Sequence, residues 1–129
     1  MTQCLTIRQC SLPGEQVRDF LHVDDVAEAI WAVATSDLRG PVNIGFGRPV
    51  TVRSIAERIG VMLNRPELID YGALPYGPSD PMFICANTRK LLDSTKWSPR
   101  YDLDDGLYQT VQWWQKGLGI SRHQQGYCR

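Results

Sequence analysis

The chain lacks an excess of charge of either sign: fourteen Lys and Arg residues balance fourteen Asp and Glu, for a formal net charge of zero. Binding to nucleic acid draws on clustered positive charge to neutralise phosphates, so that class of partner is not expected. No hydrophobic run reaches membrane-spanning length, and no membrane partner is expected either. Cys4, Cys10, Cys85 and Cys128 include no C-x-x-C pair and are not joined by histidines at zinc-like spacing. They read as free thiols, not as a metal site or a disulfide framework. The amino terminus is polar, without the basic and apolar regions of a secretory signal, which points to a reducing cytoplasm. Internal repeats and low-complexity tracts are absent too. What is present, 129 residues with 43% apolar and 22% charged, suits one globular domain with a real core.

The chain is organised around Val17–Ile30, VRDFLHVDDVAEAI. Val17, Phe20 and Val23 give apolar bulk to a short strand-like run, and a helix is expected to follow. Asp24 or Asp25 can cap it, and with Asp25 as the cap Glu28 completes a capping box. Val26, Ala29, Ile30 and Val33 then recur at helical spacing. Pro41–Phe46 has the composition of a compact buried strand, after which Gly45 and Gly47 bend the chain.

Thr51 caps a helix predicted over Thr51–Leu63, with Val52, Ile55, Ala56, Ile59, Met62 and Leu63 as its apolar stripe. Gly60 inside it costs about 1 kcal/mol relative to alanine, and Pro66 ends it. A strand is expected at Glu67–Tyr71. Pro75, Pro78 and Pro81 make Gly72–Pro81 an exposed loop. A short edge strand at Met82–Ala86 precedes a helix capped by Asn87 and running to about Ser94. Asp102 caps the last helix, where Leu103, Leu107, Val111 and Trp114 share a face; of Trp113 and Trp114 one is expected in the core. The polar tail from Gly117 is expected to fray. Strands alternating with about four helices make an α/β protein, an α+β-like small domain.

VRDFLHVDDVAEAI, together with PVNIGFGRPVTVRSIAERIG at Pro41–Gly60, GALPYGPSDPMFICANTRKL at Gly72–Leu91 and KWSPRYDLDDGLYQTVQWW at Lys96–Trp114, resembles the carboxy-terminal part of the extended short-chain dehydrogenase/reductases. These are the NAD-dependent epimerases and dehydratases of nucleotide sugars. The four segments stand in family order. The resemblance implies a substrate-binding domain over residues 14–116, between a poorly matched segment 1–13 and a flexible tail 117–129.

Two family features have no counterpart here. Gly45 and Gly47 make only a G-x-G, in mid-chain after the expected strand, so a tight turn is the better reading than a cofactor loop. None of the five tyrosines has a lysine four residues on, so the family's proton-transfer pair is not found. The expectation is a chain that binds no NAD(P) and is not catalytic alone, although NAD(P) serves the parent family.

The resemblance assigns Arg18 to the diphosphate of a nucleotide sugar, chemistry that suits a guanidinium fork. The alternative is a strand arginine paired with Asp19 or Asp24. In the YGPSD loop, Tyr76 and Asp80 are candidate substrate-binding residues, with Asp80 at the position that contacts sugar or ribose hydroxyls in relatives. Gly77 stands where relatives carry a second phosphate-binding arginine. His22, Asp24 and Asp25 form an H-x-D-D sequence, read as a capping acidic pair beside a strand histidine and not as metal ligands. The expected partners are a weakly bound nucleotide sugar and a second copy of the chain in a homodimer, because relatives cover the helix after Asp24 and the strand at Val42–Ile44 with their cofactor domain. A separate Rossmann domain is a further possible partner. The alternatives are an oligomerisation or interaction module without useful ligand binding, or a fragment of a full NAD(P)-dependent nucleotide-sugar epimerase, dehydratase or reductase.

Overall fold

Helix α1, Val23–Ala34, starts because the His22 side chain turns back on the chain: its Nδ1 accepts the Asp24 N–H at 3.3 Å. The computed structural model describes residues 14–69, 71 and 76–119. The remaining elements in order are strand β1 (Val17–Asp19), strand β2 (Pro49–Thr51), α2 (Val52–Met62), a 3-10 turn at Pro66–Leu68, α3 (Arg89–Ser94) and α4 (Leu103–Gly117). β1 precedes α1. The strands pair antiparallel, with Val17 opposite Thr51, Arg18 opposite Val50 and Asp19 opposite Pro49. Among the described residues, four α-helices and a two-stranded sheet bear out the small α/β domain.

Capping follows the sequence at two helices, is displaced by one residue at α3 and departs from it at α1. The Thr51 side chain accepts the Ser54 N–H and Asp102 accepts the Asp105 N–H, as expected of N-cap residues. Asn87 accepts the Arg89 N–H at 3.2 Å, one residue ahead of the Thr88 cap position. At α1 the expected Asp24 or Asp25 cap gives way to His22. Asp25 is the third residue of the helix and fully buried, accepting the Arg100 N–H at 3.0 Å and the Tyr101 N–H at 3.1 Å. Glu28 pairs with Arg100 instead of completing a capping box.

Ala29, Leu91 and Trp97 form the core, with Leu21, Ala32, Val33, Val42 and Ile44 packed around it. Alanine at position 29 lets α1 come close to α3 and the Trp97 ring. On the other side α2 lies against α4, where Ile55 and Val111 are buried and Arg58 forms an ion pair with Asp104. Gly60 is buried because a Cβ there would stand 2.7 Å from Ile69 Cδ1 and 3.2 Å from Pro66 Cα.

Four expectations need correction. Pro41–Phe46 forms no strand: Val42 and Ile44 do pack inward, but no neighbouring strand pairs with the segment among the described residues, so the ladder that defines a strand is missing. The strand expected at Glu67–Tyr71 gives way at its start to a 3-10 turn, Pro66–Leu68, which Pro66 opens; residue 70 of that range lies outside the described residues. Trp113 and Trp114 are both exposed, at 66% and 56%, and meet edge to face at 5.0 Å. Val111 takes the buried position on that helix. Ile30 is exposed too, since the core-facing side of α1 is narrow and centred on Asp25 and Ala29.

Met82–Ala86 lies beside β1 as expected of an edge segment. Its contact is a single parallel bridge, Val17 with Phe83, closed by Val17 N–H to Met82 O at 2.8 Å and Ile84 N–H to Val17 O at 3.0 Å. The segments 1–13 and 72–75 and the tail beyond 119 lie outside the described residues.

Candidate functional site

β1 is the spine of the site, and successive side chains along a strand point to opposite faces. Arg18 and Asp19 therefore part company. Asp19 turns inward and accepts the Phe46 N–H at 3.0 Å, the Gly47 N–H at 3.0 Å and the Ala86 N–H at 3.1 Å. One carboxylate thus ties the Gly45–Gly47 turn and the 82–86 segment to the strand. Charge-assisted bonds of this kind are the stronger ones. The sequence reading did not pick out this role, which depends on residues 27 and 67 positions away along the chain.

Gly45 and Gly47 are shaped by that clamp. A Cβ on Gly45 would lie 2.5 Å from Asp19 Oδ2 and 2.6 Å from Ala86 Cβ. Gly47 has φ of +76°, and a Cβ there would meet Thr88 Oγ1 at 2.8 Å. The space a cofactor pyrophosphate needs at a glycine-rich loop is filled here by the protein's own groups, and the turn leads into β2, not into a helix. This turn does not fit a dinucleotide.

Arg18 faces the other way, half-buried. Its Nη1 donates to Val17 O at 2.8 Å and its Nη2 to Gln16 Oε1 at 2.9 Å, and it pairs with neither Asp19 nor Asp24. Among the described residues no carboxylate neutralises it. Gln16 also links it to the YGPSD loop, because the Tyr76 hydroxyl accepts the Glu15 N–H at 2.7 Å and the Gln16 N–H at 3.2 Å. Tyr76 is thereby a loop anchor next to Arg18. Asp80 accepts the Gly77 N–H at 2.8 Å and closes the turn Gly77–Asp80, where it stays exposed. The structure joins Arg18 to Tyr76 through Gln16, and ties Asp80 to Gly77 within the loop that Tyr76 anchors.

His22 and Asp25 are engaged elsewhere, in the helix cap and the Arg100–Tyr101 tether. Among the described residues no group of three His, Cys, Asp or Glu side chains could hold a metal ion. No helix among them is long and apolar enough to cross a membrane. Cys85 is a half-buried thiol whose pKa is pushed up, first by burial and then by the nearby Asp19 carboxylate. An open groove runs between α1 and α3, lined by Trp31, Thr35, Asp93 and Trp97 among others, and is not bordered by Arg18, Tyr76 or Asp80.

Known proteins are similar to this chain in sequence and in fold. The profile of the NAD dependent epimerase/dehydratase family matches residues 3–45. GDP-L-fucose synthase 1 of Arabidopsis thaliana is 36% identical over 112 residues, which is 81% of this chain and 32% of that protein. A UDP-glucose 4-epimerase of Rhizobium leguminosarum bv. trifolii is 32% identical over 107 residues, 80% of this chain and 32% of its own. Among solved structures, a UDP-N-acetylglucosamine 4-epimerase of Methanobrevibacter ruminantium in complex with UDP-N-acetylmuramic acid superposes with a TM-score of 0.71 at 31% identity, covering 81% of this chain and 33% of that one. The chain belongs to the NAD-dependent epimerase/dehydratase family. A dTDP-glucose 4,6-dehydratase of Bacillus anthracis, solved with NAD, gives the same TM-score of 0.71 at 32% identity over 80% of this chain and 32% of that one. The chain spans about a third of the length of the family members it matches.

Proposed function

We propose that this chain is the nucleotide-sugar-binding lobe of an NAD-dependent epimerase/dehydratase, and that it is not catalytic by itself. The observation that carries the reading is Arg18. The Asp19 clamp fixes the strand, and the strand presents an arginine that has only neutral acceptors for its guanidinium. A diphosphate offers that fork two charged oxygens in place of an amide oxygen and a carbonyl, which is the exchange a guanidinium favours. Tyr76 holds the adjoining loop, and Asp80 lies on that loop as an acceptor for sugar or ribose hydroxyls. The names of the related proteins, which act on GDP-, UDP- and dTDP-linked sugars, support the same ligand class. NAD(P) chemistry belongs to the parent reaction, and no step through the nicotinamide is assigned to residues of this chain.

The test is a thermal-shift panel of GDP-, UDP-, dTDP- and CDP-sugars with NAD as the counter-ligand, since only a ligand that favours the folded state raises its melting temperature. Stabilisation by one nucleotide-sugar class and not by NAD is expected. Stabilisation by NAD alone contradicts the reading.

The outer face of α1 favours a second property. Val23, Ala27, Ile30, Trp31 and Ala34 recur at helical spacing on the side opposite Ala29, and Val23 and Trp31 are each 71% exposed. A helix apolar on both sides is a helix meant to be covered twice. Self-association of two copies about a two-fold axis would cover it. Val42 and Ile44, also expected at such a contact, already pack against the core and leave less apolar surface to cover. Sedimentation velocity checks this: a dimer that dissociates on Trp31→Glu is expected, and a monomer at high concentration contradicts it.

A further inference from the structure

We propose that Arg48 is a second phosphate anchor, working with Arg18 on the diphosphate of the ligand; this rests on the reading of the chain as a nucleotide-sugar lobe. The sequence reading left that role empty because Gly77 stands where an arginine was expected. The strand register fills it from another direction. Arg18 lies opposite Val50 and Asp19 opposite Pro49, and Arg48 directly precedes β2, so carrying that register one residue past the strand sets Arg48 diagonally across from Arg18. Diagonal cross-strand neighbours lie about 7–8 Å apart, within reach of long side chains. That spacing suits two guanidinium groups gripping one diphosphate from two sides.

Four observations fit this role. Arg48 is exposed and, like Arg18, forms no ion pair with a carboxylate among the described residues. Its guanidinium rests over the Phe46 ring, 4.9 Å from the centroid, a contact that supports the cation while leaving the N–H edges open. Phe46 is itself pinned through its N–H to Asp19, so the platform under Arg48 is fixed by the same carboxylate that fixes β1. Arg18 folds back on Gln16 and Val17 O, and Arg48 rests on the aromatic ring. A diphosphate offers both guanidinium groups a stronger partner. Arg18 exchanges neutral acceptors for charged ones, and Arg48 needs only to swing on its stem. The carboxylates nearest in sequence do not compete: Asp19 turns to the opposite face and is saturated by backbone N–H groups.

Titration calorimetry and NMR with inorganic pyrophosphate, UDP-glucose and GDP-mannose test the pair on the full chain. Arg48→Ala and Arg48→Gln are expected to weaken pyrophosphate and nucleotide-sugar binding about tenfold each, and Arg48→Lys, which keeps the charge and loses the fork, to weaken it less. Circular dichroism of each variant checks that the exposed substitution leaves the fold intact. If Arg18→Ala abolishes binding while all Arg48 variants bind as the unmodified chain does, the anchor is overturned and the lobe reading stands. If pyrophosphate binding depends on both arginines but nucleotide sugars bind no better than pyrophosphate, the pair stands and the lobe reading falls. Absence of binding by every probe overturns both.

Discussion

Replacing Asp25 with alanine probes the joint that holds α1 to the rest of the domain. The carboxylate is fully buried and accepts two backbone N–H groups, from Arg100 at 3.0 Å and from Tyr101 at 3.1 Å. Alanine removes the acceptor and leaves both amides buried in a protein interior. Hydrogen bonds to a charged group contribute about 1.5–3 kcal/mol each, and part of the loss is returned by no longer burying a charge, so the expected destabilisation is about 3 kcal/mol. For a chain of this size that lowers the melting temperature by roughly 10 °C. Asp25→Asn keeps one acceptor oxygen and sets an NH2 group against the other amide, so it should fall about midway. Asp24→Ala is the control, since Asp24 is exposed in the first turn, where its carboxylate stands 3.8 Å from His22 Nδ1 and offers a favourable helix-dipole interaction of about 0.5 kcal/mol. Urea denaturation followed by circular dichroism gives all three values. An Asp25→Ala variant within about 0.5 kcal/mol of the unmodified chain refutes the tether.

Gly45→Ala should destabilise the site, because its methyl would overlap Asp19 Oδ2 and Ala86 Cβ; loss of the downfield-shifted Phe46 and Gly47 amide signals in NMR would report the broken clamp. Gly60→Ala should fail to gain the roughly 1 kcal/mol of helix propensity that alanine brings, since Ile69 and Pro66 occupy the space, and chemical denaturation checks the sign. Gly77→Arg is expected to strengthen nucleotide-sugar binding and Arg18→Ala to abolish it, although an arginine at 77 begins only 3.2 Å from the Asp80 carboxylate and will share its charge with that group, so calorimetry should show a gain well short of tenfold. With Cys4, Cys10 and Cys128 replaced by serine, Cys85 should alkylate more slowly in the folded chain than in urea at mildly alkaline pH. Its raised pKa favours the neutral thiol of the folded state, so its contribution to stability is present below the ordinary cysteine range and is lost as the pH rises through the folded value.

Much of the helical framework was legible because its signals are local. Thr51 and Asp102 cap the helices they precede, and the apolar stripe of α2 buries Ile55 as its spacing requires. The misread features depend on distant groups. Asp25 looked like a cap because it stands at the start of an apolar-faced helix, yet its partners are 75 and 76 residues away, and His22 caps in its place. Pro41–Phe46 has strand composition without a strand beside it among the described residues, and composition does not supply a neighbour. For the proposed site, Arg18 was a candidate from its motif, whereas the use of Asp19 as a three-way clamp was not legible, because nothing in the sequence brings Phe46, Gly47 and Ala86 to it. Arg48 becomes a candidate only when the register sets it diagonally across from Arg18.

The measurement closest to the central claim is a heteronuclear NMR titration of the chain with GDP-, UDP- and dTDP-sugars, read at single residues. A saturable shift is expected for the Arg18 side-chain signals and for the amides of Glu15, Gln16 and Gly77, which border the Tyr76 anchor and the Asp80 turn, with the same signals silent in Arg18→Ala. Saturable shifts confined to other surfaces, such as the groove between α1 and α3, or no shift with any nucleotide sugar, would contradict it.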